Sequence, residues 1–195
     1  MINSLAAHVV WLAGMVAWYV IRHPRQRRAA KTTVLSSTGG ARDRTLLFVA
    51  AAGQFLVPLF YVTTGEPAFA DYQFRPVQAW LGVAVLAGAL ALFLFTHKQL
   101  GRNWSVTLET RESHQLVTDG LYGHVRHPMY SSFFLLGIAQ ALLIENWFAG
   151  PIGIVTIGLL FLGRVNREEQ LMIDTFGDDY RAYMKSTARV VPWIY

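Results

Sequence analysis

Residues 77–95 run for 19 positions without a charged side chain. At about 1.5 Å rise per residue, a helix of that length matches the roughly 30 Å hydrocarbon core of a bilayer. The stretch predicts a membrane-spanning helix, and it sets how its neighbours are read. Two similar apolar runs precede it, at 5–21 and 45–62, and two shorter ones follow, at 129–144 and 147–163. Composition agrees: the chain is 53% hydrophobic and 15% charged, against about 25% charged in soluble domains. The prediction is an all-α integral membrane protein, one domain over 1–195, with about five transmembrane helices. The last two form a short helical hairpin.

Charge orders the topology. No Lys or Arg precedes the first run, whereas Arg22, Arg25, Arg27, Arg28 and Lys31 follow it, the reverse of a cleaved signal peptide. The loop 22–44 holds seven Lys or Arg and one acid, Asp43. A loop of that kind stays cytoplasmic, which predicts the N-terminus outside. It reads as a flexible, headgroup-facing segment. The net charge of +5 is therefore a topology signal, and without basic-aromatic interleaving it is no nucleic-acid footprint. Gln54 and Pro58 are expected to pack inward and kink the second run. Having no cysteine excludes disulfides and thiolate metal sites. None of the first three runs carries a charge, which counts against a transport path.

Polar chemistry collects between His114 and Tyr130 and again between Arg164 and Glu169. Pro128 suits the first turn of a helix, so backbone N–H groups and the positive dipole end are expected beside Arg126 and His127, where a small carboxylate would be stabilised. Arg164 and Glu168 are one turn apart on one helix face. The two runs in between return the chain to the same side. Between 97 and 125 the apolar period stops; Trp104 reads as an interfacial anchor, and Val106 and Leu108 as a short extended piece turning near Arg111. Past Asn166 an amphipathic helix, broken at Gly177 and resumed through Tyr180 and Tyr183, is expected to close over the hairpin mouth, followed by an extended end at 189–192. Glu169 and Arg167 read as solvent-facing, Tyr180 and Tyr183 as packing, and Arg126 as serving headgroups as readily as chemistry. Histidines 97, 114, 124 and 127 are not read as a metal site.

In order and spacing, His114-x-Leu116-Val117, Gly120-x-Tyr122, Arg126-His127-Pro128-x-Tyr130, Arg164-x-x-x-Glu168-Glu169 and Phe176-Gly177-x-x-Tyr180-x-x-Tyr183 resemble the isoprenylcysteine carboxyl methyltransferases and related membrane phospholipid methyltransferases. The likeness covers about 100–192, which makes that stretch the catalytic region; the first hundred residues are similar only in being apolar and helical. The resemblance implies S-adenosylmethionine as cofactor, held by His114, Gln115, Leu116, Val117, Tyr122, His127, Pro128, Met129, Tyr130 and Glu168 in a cytoplasmic loop region. Arg164 would orient the acceptor, making Arg164 and Glu168 the catalytic pair, with no metal. The implied partners are the bilayer and a lipid-like acceptor, foremost the carboxylate of a prenylcysteine or similar isoprenoid. That acceptor is ionised at pH 7, with an ordinary pKa of about 3.3–3.7, and needs no base. N-methylation of phosphatidylethanolamine is the alternative and requires a base such as Glu169 or His127. A non-enzymatic adaptor or transporter is the reading from a different class.

Overall fold

Proline and glycine set most of the helix ends. In the computed structural model, which describes residues 2–29, 34–37, 40–100, 109–111 and 116–194, α4 (Pro76–Leu100) and α5 (Pro128–Leu143) both open on a proline, where the missing N–H costs nothing. α1 (Ser4–Ala29), α2 (Ala41–Ala51) and α3 (Val57–Thr64) precede them, and α6 (Ile152–Phe176) and α7 (Asp178–Ser186) follow. Three segments are long and apolar enough to cross a membrane: Ser4–Pro24, Ala41–Thr64 and Pro76–Leu100; α5 is a shorter apolar helix of 16 residues. Their outer faces carry exposed Val9, Val16, Val20, Phe48, Phe60 and Leu81, as helices bathed in lipid do.

Several boundaries differ from expectation. α1 does not stop at residue 21; it continues through Pro24 and its basic tail to Ala29, so part of the expected loop is helix. Val34–Ser37 and Glu109–Arg111 form a two-stranded antiparallel pair, β1 and β2; the first lies where a flexible loop is expected, the second beside the expected extended piece near Arg111. The last apolar run does not begin a helix at Trp147. Asn146 accepts the amides of Phe148 (2.9 Å) and Ala149 (2.8 Å) through Oδ1, winding residues 147–150 into a turn, and α6 starts only at Ile152. α6 also does not end with its apolar run. It carries on as one 25-residue helix to Phe176, joining the run to the amphipathic segment expected to be separate.

α4 packs most extensively on α5, and small residues allow it: Ala79, Gly82 and Ala89 are buried against Leu143 and Ala139. Close backbone approach of this kind replaces the hydrophobic drive that lipid does not supply. α2 and α3 form one span joined by a turn of π-helix, Ala52–Leu56, ahead of Pro58. A π turn and a proline both release carbonyls from the helix ladder. Gln140, fully buried, answers this with Nε2, which reaches the carbonyls of Gly53 (3.1 Å), Ala149 (2.9 Å) and Gly150 (3.0 Å). Gln54 faces inward as expected and donates to the Phe133 carbonyl at 3.0 Å.

Gln140 therefore ties the π turn, α5 and the turn ahead of α6 together at a fully buried position. Gln140→Leu keeps the size and removes the donor, and we expect a loss of about 2 kcal/mol, the order of one buried carbonyl left unpaired. Thermal unfolding in detergent measures it; an unchanged midpoint would mean that the π turn closes on itself.

Candidate functional site

The approach to α5 is shaped by a glycine. Gly120 has φ +55, and a Cβ there would lie 1.7 Å from Gln99 Nε2, so only glycine lets the 120–123 turn sit on the end of α4, where Gln99 Oε1 accepts the Leu121 amide at 3.0 Å. That turn buries Tyr122, whose carbonyl accepts the Tyr183 hydroxyl at 2.5 Å. The chain then meets its own C-terminal end: Val125 bridges Ala188 in parallel, and the amides of Arg126 and His127 donate to the carbonyls of Ala188 (2.7 Å) and Arg189 (2.8 Å). Ser131 adds a bond to the Val190 carbonyl at 2.6 Å. The C-terminal segment is thus clasped beside the start of α5.

Glu169 locks the clasp. Its Oε1 accepts Arg126 Nε at 3.0 Å, His127 Nε2 at 3.2 Å and Arg189 Nε at 3.2 Å, and its Oε2 accepts Arg189 Nη2 at 2.7 Å. Arg126 also donates to the carbonyls of Met184 and Thr187. The carboxylate is 3% exposed, so the expected solvent-facing Glu169 is corrected, and Arg126 is held by contacts within the protein. The adjacent acid points about 100° away around the helix. Glu168 accepts the Tyr130 hydroxyl at 2.8 Å, pairs with Arg164 Nε at 3.3 Å and lies 3.7 Å from His127 Nδ1. Arg164 Nε has a further partner in Asp43 Oδ1 at 3.1 Å. Asp43, expected in a solvated loop, is 1% exposed in the first turn of α2.

Of these groups, Arg126, His127, Tyr130, Arg164 and Glu168 reach the floor of a cavity of about 560 Å³. Leu116, Val117, Tyr122, His127, Met129, Tyr130, Arg164 and Glu168 all line it, as do Tyr180 and Tyr183 of α7. Pro128 is buried as the opening residue of α5 and is not part of the lining. His114 and Gln115 lie outside the described residues, as do Trp104, Val106 and Leu108. The upper wall is apolar and comes from the first half of the chain and from α5 and α6: Trp18, Leu47, Ala50, Phe55, Phe133 and Ile157. Burial raises the phenols of Tyr122, Tyr180 and Tyr183 above the ordinary tyrosine value, which makes them neutral donors and not bases. One expected feature is reduced. The amides of Tyr130 and Ser131 turn back to the His127 carbonyl (3.0 and 3.2 Å) and Pro128 has none, so this helix start offers an anion fewer donors than expected.

Burial alone would raise the Glu169 carboxyl, but the hydrogen bonds from His127 and Arg189 and the charges of His127 and Arg126 outweigh it and hold the group at about 2, below its ordinary 4.5. A depressed carboxyl stabilises the fold above its unfolded value and loses that contribution as pH falls through its folded value. The thermal midpoint in detergent should therefore hold down to about pH 4.5 and drop toward pH 2. Glu169→Gln, which leaves buried cations without their counter-charge, should lower stability by about 3–5 kcal/mol at neutral pH and remove that acid step. A variant with the parent's midpoint at both pH values would show that the clasp does not rest on this carboxylate.

Residues 80–174 match the sequence model of the isoprenylcysteine carboxyl methyltransferase (ICMT) family. The chain is 33% identical over 98 residues to a protein-S-isoprenylcysteine O-methyltransferase of Schizosaccharomyces pombe, covering 49% of this chain and 42% of that protein. It is 30% identical over 122 residues to the one of Dictyostelium discoideum, covering 60% and 50%, and 33% identical over 92 residues to the human one, covering 47% and 32%. The chain thus spans a third to a half of the length of these relatives. In fold it is similar to a solved eukaryotic intramembrane Ras methyltransferase, with a TM-score of 0.54 and 21% identity over 80% of this chain and 54% of that one. The matched segment holds the clasped start of α5 and the Arg164–Glu168–Glu169 turn, and over it this chain is similar to the isoprenylcysteine carboxyl methyltransferase family.

Proposed function

We propose that this protein transfers a methyl group from S-adenosylmethionine to the carboxylate of a lipid-like acceptor, a prenylcysteine or similar isoprenoid acid. The observation that carries the reading is the cavity itself, in which one continuous space joins a charged floor of His127, Arg164 and Glu168 to an apolar wall of Trp18, Phe55, Phe133 and Ile157. An acceptor with an anionic head and a hydrocarbon chain fits both parts. When bound, S-adenosylmethionine supplies a methyl carbon already activated by its sulfonium, so an ionised carboxylate can attack in line without a general base.

The residues divide the work by charge. Glu168, held by the Tyr130 hydroxyl, is the counter-charge for the cationic part of the cofactor. Leu116, Val117, Tyr122 and Met129 supply apolar surface beside it. His127 is fixed by Glu169 at 3.2 Å and so presents a set edge to the cavity. Arg164 meets the acceptor carboxylate, a fork that fixes two oxygens at once. Tyr180 and Tyr183 close the space from α7 and limit water, which would compete with the acceptor.

The site belongs on the cytoplasmic side. Five crossings, with α6 as the fifth, fit the exposed stripe of Val155, Leu159 and Leu162 on that helix, and the basic end of α1 reaches the cavity through Arg22. Reporter fusions should then place residue 2 outside and residue 194 inside; both ends on one side would reject this topology.

Purified protein with labelled S-adenosylmethionine should methylate a prenylcysteine analogue and not phosphatidylethanolamine. Glu168→Gln should weaken cofactor binding in calorimetry. Arg164→Lys should leave that binding intact yet lose about tenfold or more in turnover of the analogue, because a charged hydrogen bond contributes roughly 1.5–3 kcal/mol and lysine lacks the fork. Unchanged turnover in Arg164→Gln would remove Arg164 from the acceptor site.

A further inference from the structure

We infer that Asp43 is a positioning residue of the site: its buried carboxylate, delivered by the N-terminal half of the chain, sets the orientation of the Arg164 guanidinium. The inference rests on the proposed transfer to an ionised acceptor held by Arg164.

Asp43 stands between Arg42 and Arg44, both exposed, yet is itself 1% exposed. Successive residues of a helix point about 100° apart, so the rotation of α2 that sends the two arginines outward turns the acid inward. Leu46, Leu47 and Ala50 continue the same face and pack on Ile157, Leu160, Phe161 and Val165. α6 admits this approach at Gly163, where a Cβ would come within 2.7 Å of Leu46 Cδ1. One residue further on is Arg164, and its Nε lies 3.1 Å from Asp43 Oδ1. The close seating of α2 is what brings carboxylate and guanidinium together.

An acid in the first turn of a helix is favourable beside the dipole, but that role is met at the surface and needs no burial. Here both carboxylate oxygens are buried, and among the described residues neither has a hydrogen-bond partner that meets ordinary geometry; the cation it faces is Arg164. A buried carboxylate held mainly by one ion pair is costly for stability, which directs attention to what the pair does for the arginine. Arg164 already has Glu168 at 3.3 Å, so the second carboxylate is one more than neutrality requires. It becomes useful when Glu168 is drawn toward a cation in the cavity: Asp43 then keeps the guanidinium stem in place. Asp43 lies outside residues 80–174 that match the family, so the orientation of a residue inside the matched segment is set from outside it.

The test uses the full-length protein in detergent, with the prenylcysteine analogue as acceptor. Asp43→Asn should keep S-adenosylmethionine affinity within about twofold while kcat/KM for the analogue falls about tenfold, within the range of coupling between residues in contact. In an Arg164→Gln background the same change should add less than about twofold, since coupled sites are not additive. Asp43→Glu, which keeps the charge but shifts the carboxylate by one methylene, should lose several-fold in kcat/KM with cofactor affinity kept, and it carries the test should Asp43→Asn not fold. Additive losses overturn the inference, as does parent-like kcat/KM in both Asp43 variants, or a loss confined to cofactor affinity and thermal stability. If the unmodified protein methylates neither the analogue nor phosphatidylethanolamine, the proposed function fails and the inference falls with it; turnover by the parent with additive variants overturns the role of Asp43 alone.

Discussion

Three parts of the chain that are distant in sequence meet on the carboxylate of Glu169: the start of α5 through Arg126 and His127, α6 itself, and the C-terminal segment through Arg189. Replacing a buried ion cluster of this kind as a whole with apolar side chains is often neutral, whereas removing one partner costs several kcal/mol. Its value is therefore in specifying which surfaces join. Without it, the two arginines would repel each other at the point where the C-terminal strand lies along residues 125–127. With it, His127 is held with one ring nitrogen on Glu169 and the other 3.7 Å from Glu168, and the cavity floor acquires a fixed shape.

α6 makes this possible because a single rigid helix serves two environments. Its first half exposes Val155, Leu159 and Leu162 and buries Thr156, Ile157 and Leu160; its second half carries Arg164, Glu168 and Glu169. Adjacent residues on a helix diverge by about 100°, so the two consecutive acids serve different tasks, Glu168 toward the cavity and Glu169 toward the clasp. Had the helix ended with its apolar run, Arg164 and Glu168 would sit on separate elements, and their 3.3 Å spacing would depend on a loop.

Much of this floor was legible in the sequence because it is local. Pro128 marks the start of α5, the one-turn spacing of Arg164 and Glu168 survives any tertiary arrangement, and the motif likeness brought Leu116, Val117, Tyr122 and Tyr130 into one list that the cavity lining repeats. Long-range partnerships were not legible. Asp43 sat in a stretch whose dominant signal was positive charge, and nothing in its neighbours announces a guanidinium 121 positions later. Glu169 was misread because a charged residue beside another on an amphipathic helix looks solvated until the C-terminal segment is laid over it. The turn at 147–150 was hidden for a related reason: Trp147 and Phe148 extend the apolar run, while the instruction to turn comes from the side chain of Asn146.

The cavity also has a seam in sequence. Its charged floor comes almost entirely from residues 80–174, the part that matches the family, whereas Trp18, Leu47, Ala50 and Phe55 on the apolar wall come from the part that does not. Hydrocarbon is recognised by shape and contact area, at roughly 25 cal/mol per Å² removed from water, while a carboxylate is recognised by the placing of a few donors. In the proposed function α5 and α6 meet both demands, with Phe133 and Ile157 beside the charged groups, whereas Trp18, Leu47, Ala50 and Phe55 add apolar wall alone. On the proposed function, substitutions on α1 or α2 would reshape the space for a hydrocarbon chain without touching Glu168 or His127, provided that the face of α2 bearing Asp43, Leu46 and Ala50 stays seated on α6. That face is where the two halves stop being independent, since moving α2 to admit a different chain also moves the carboxylate that meets Arg164.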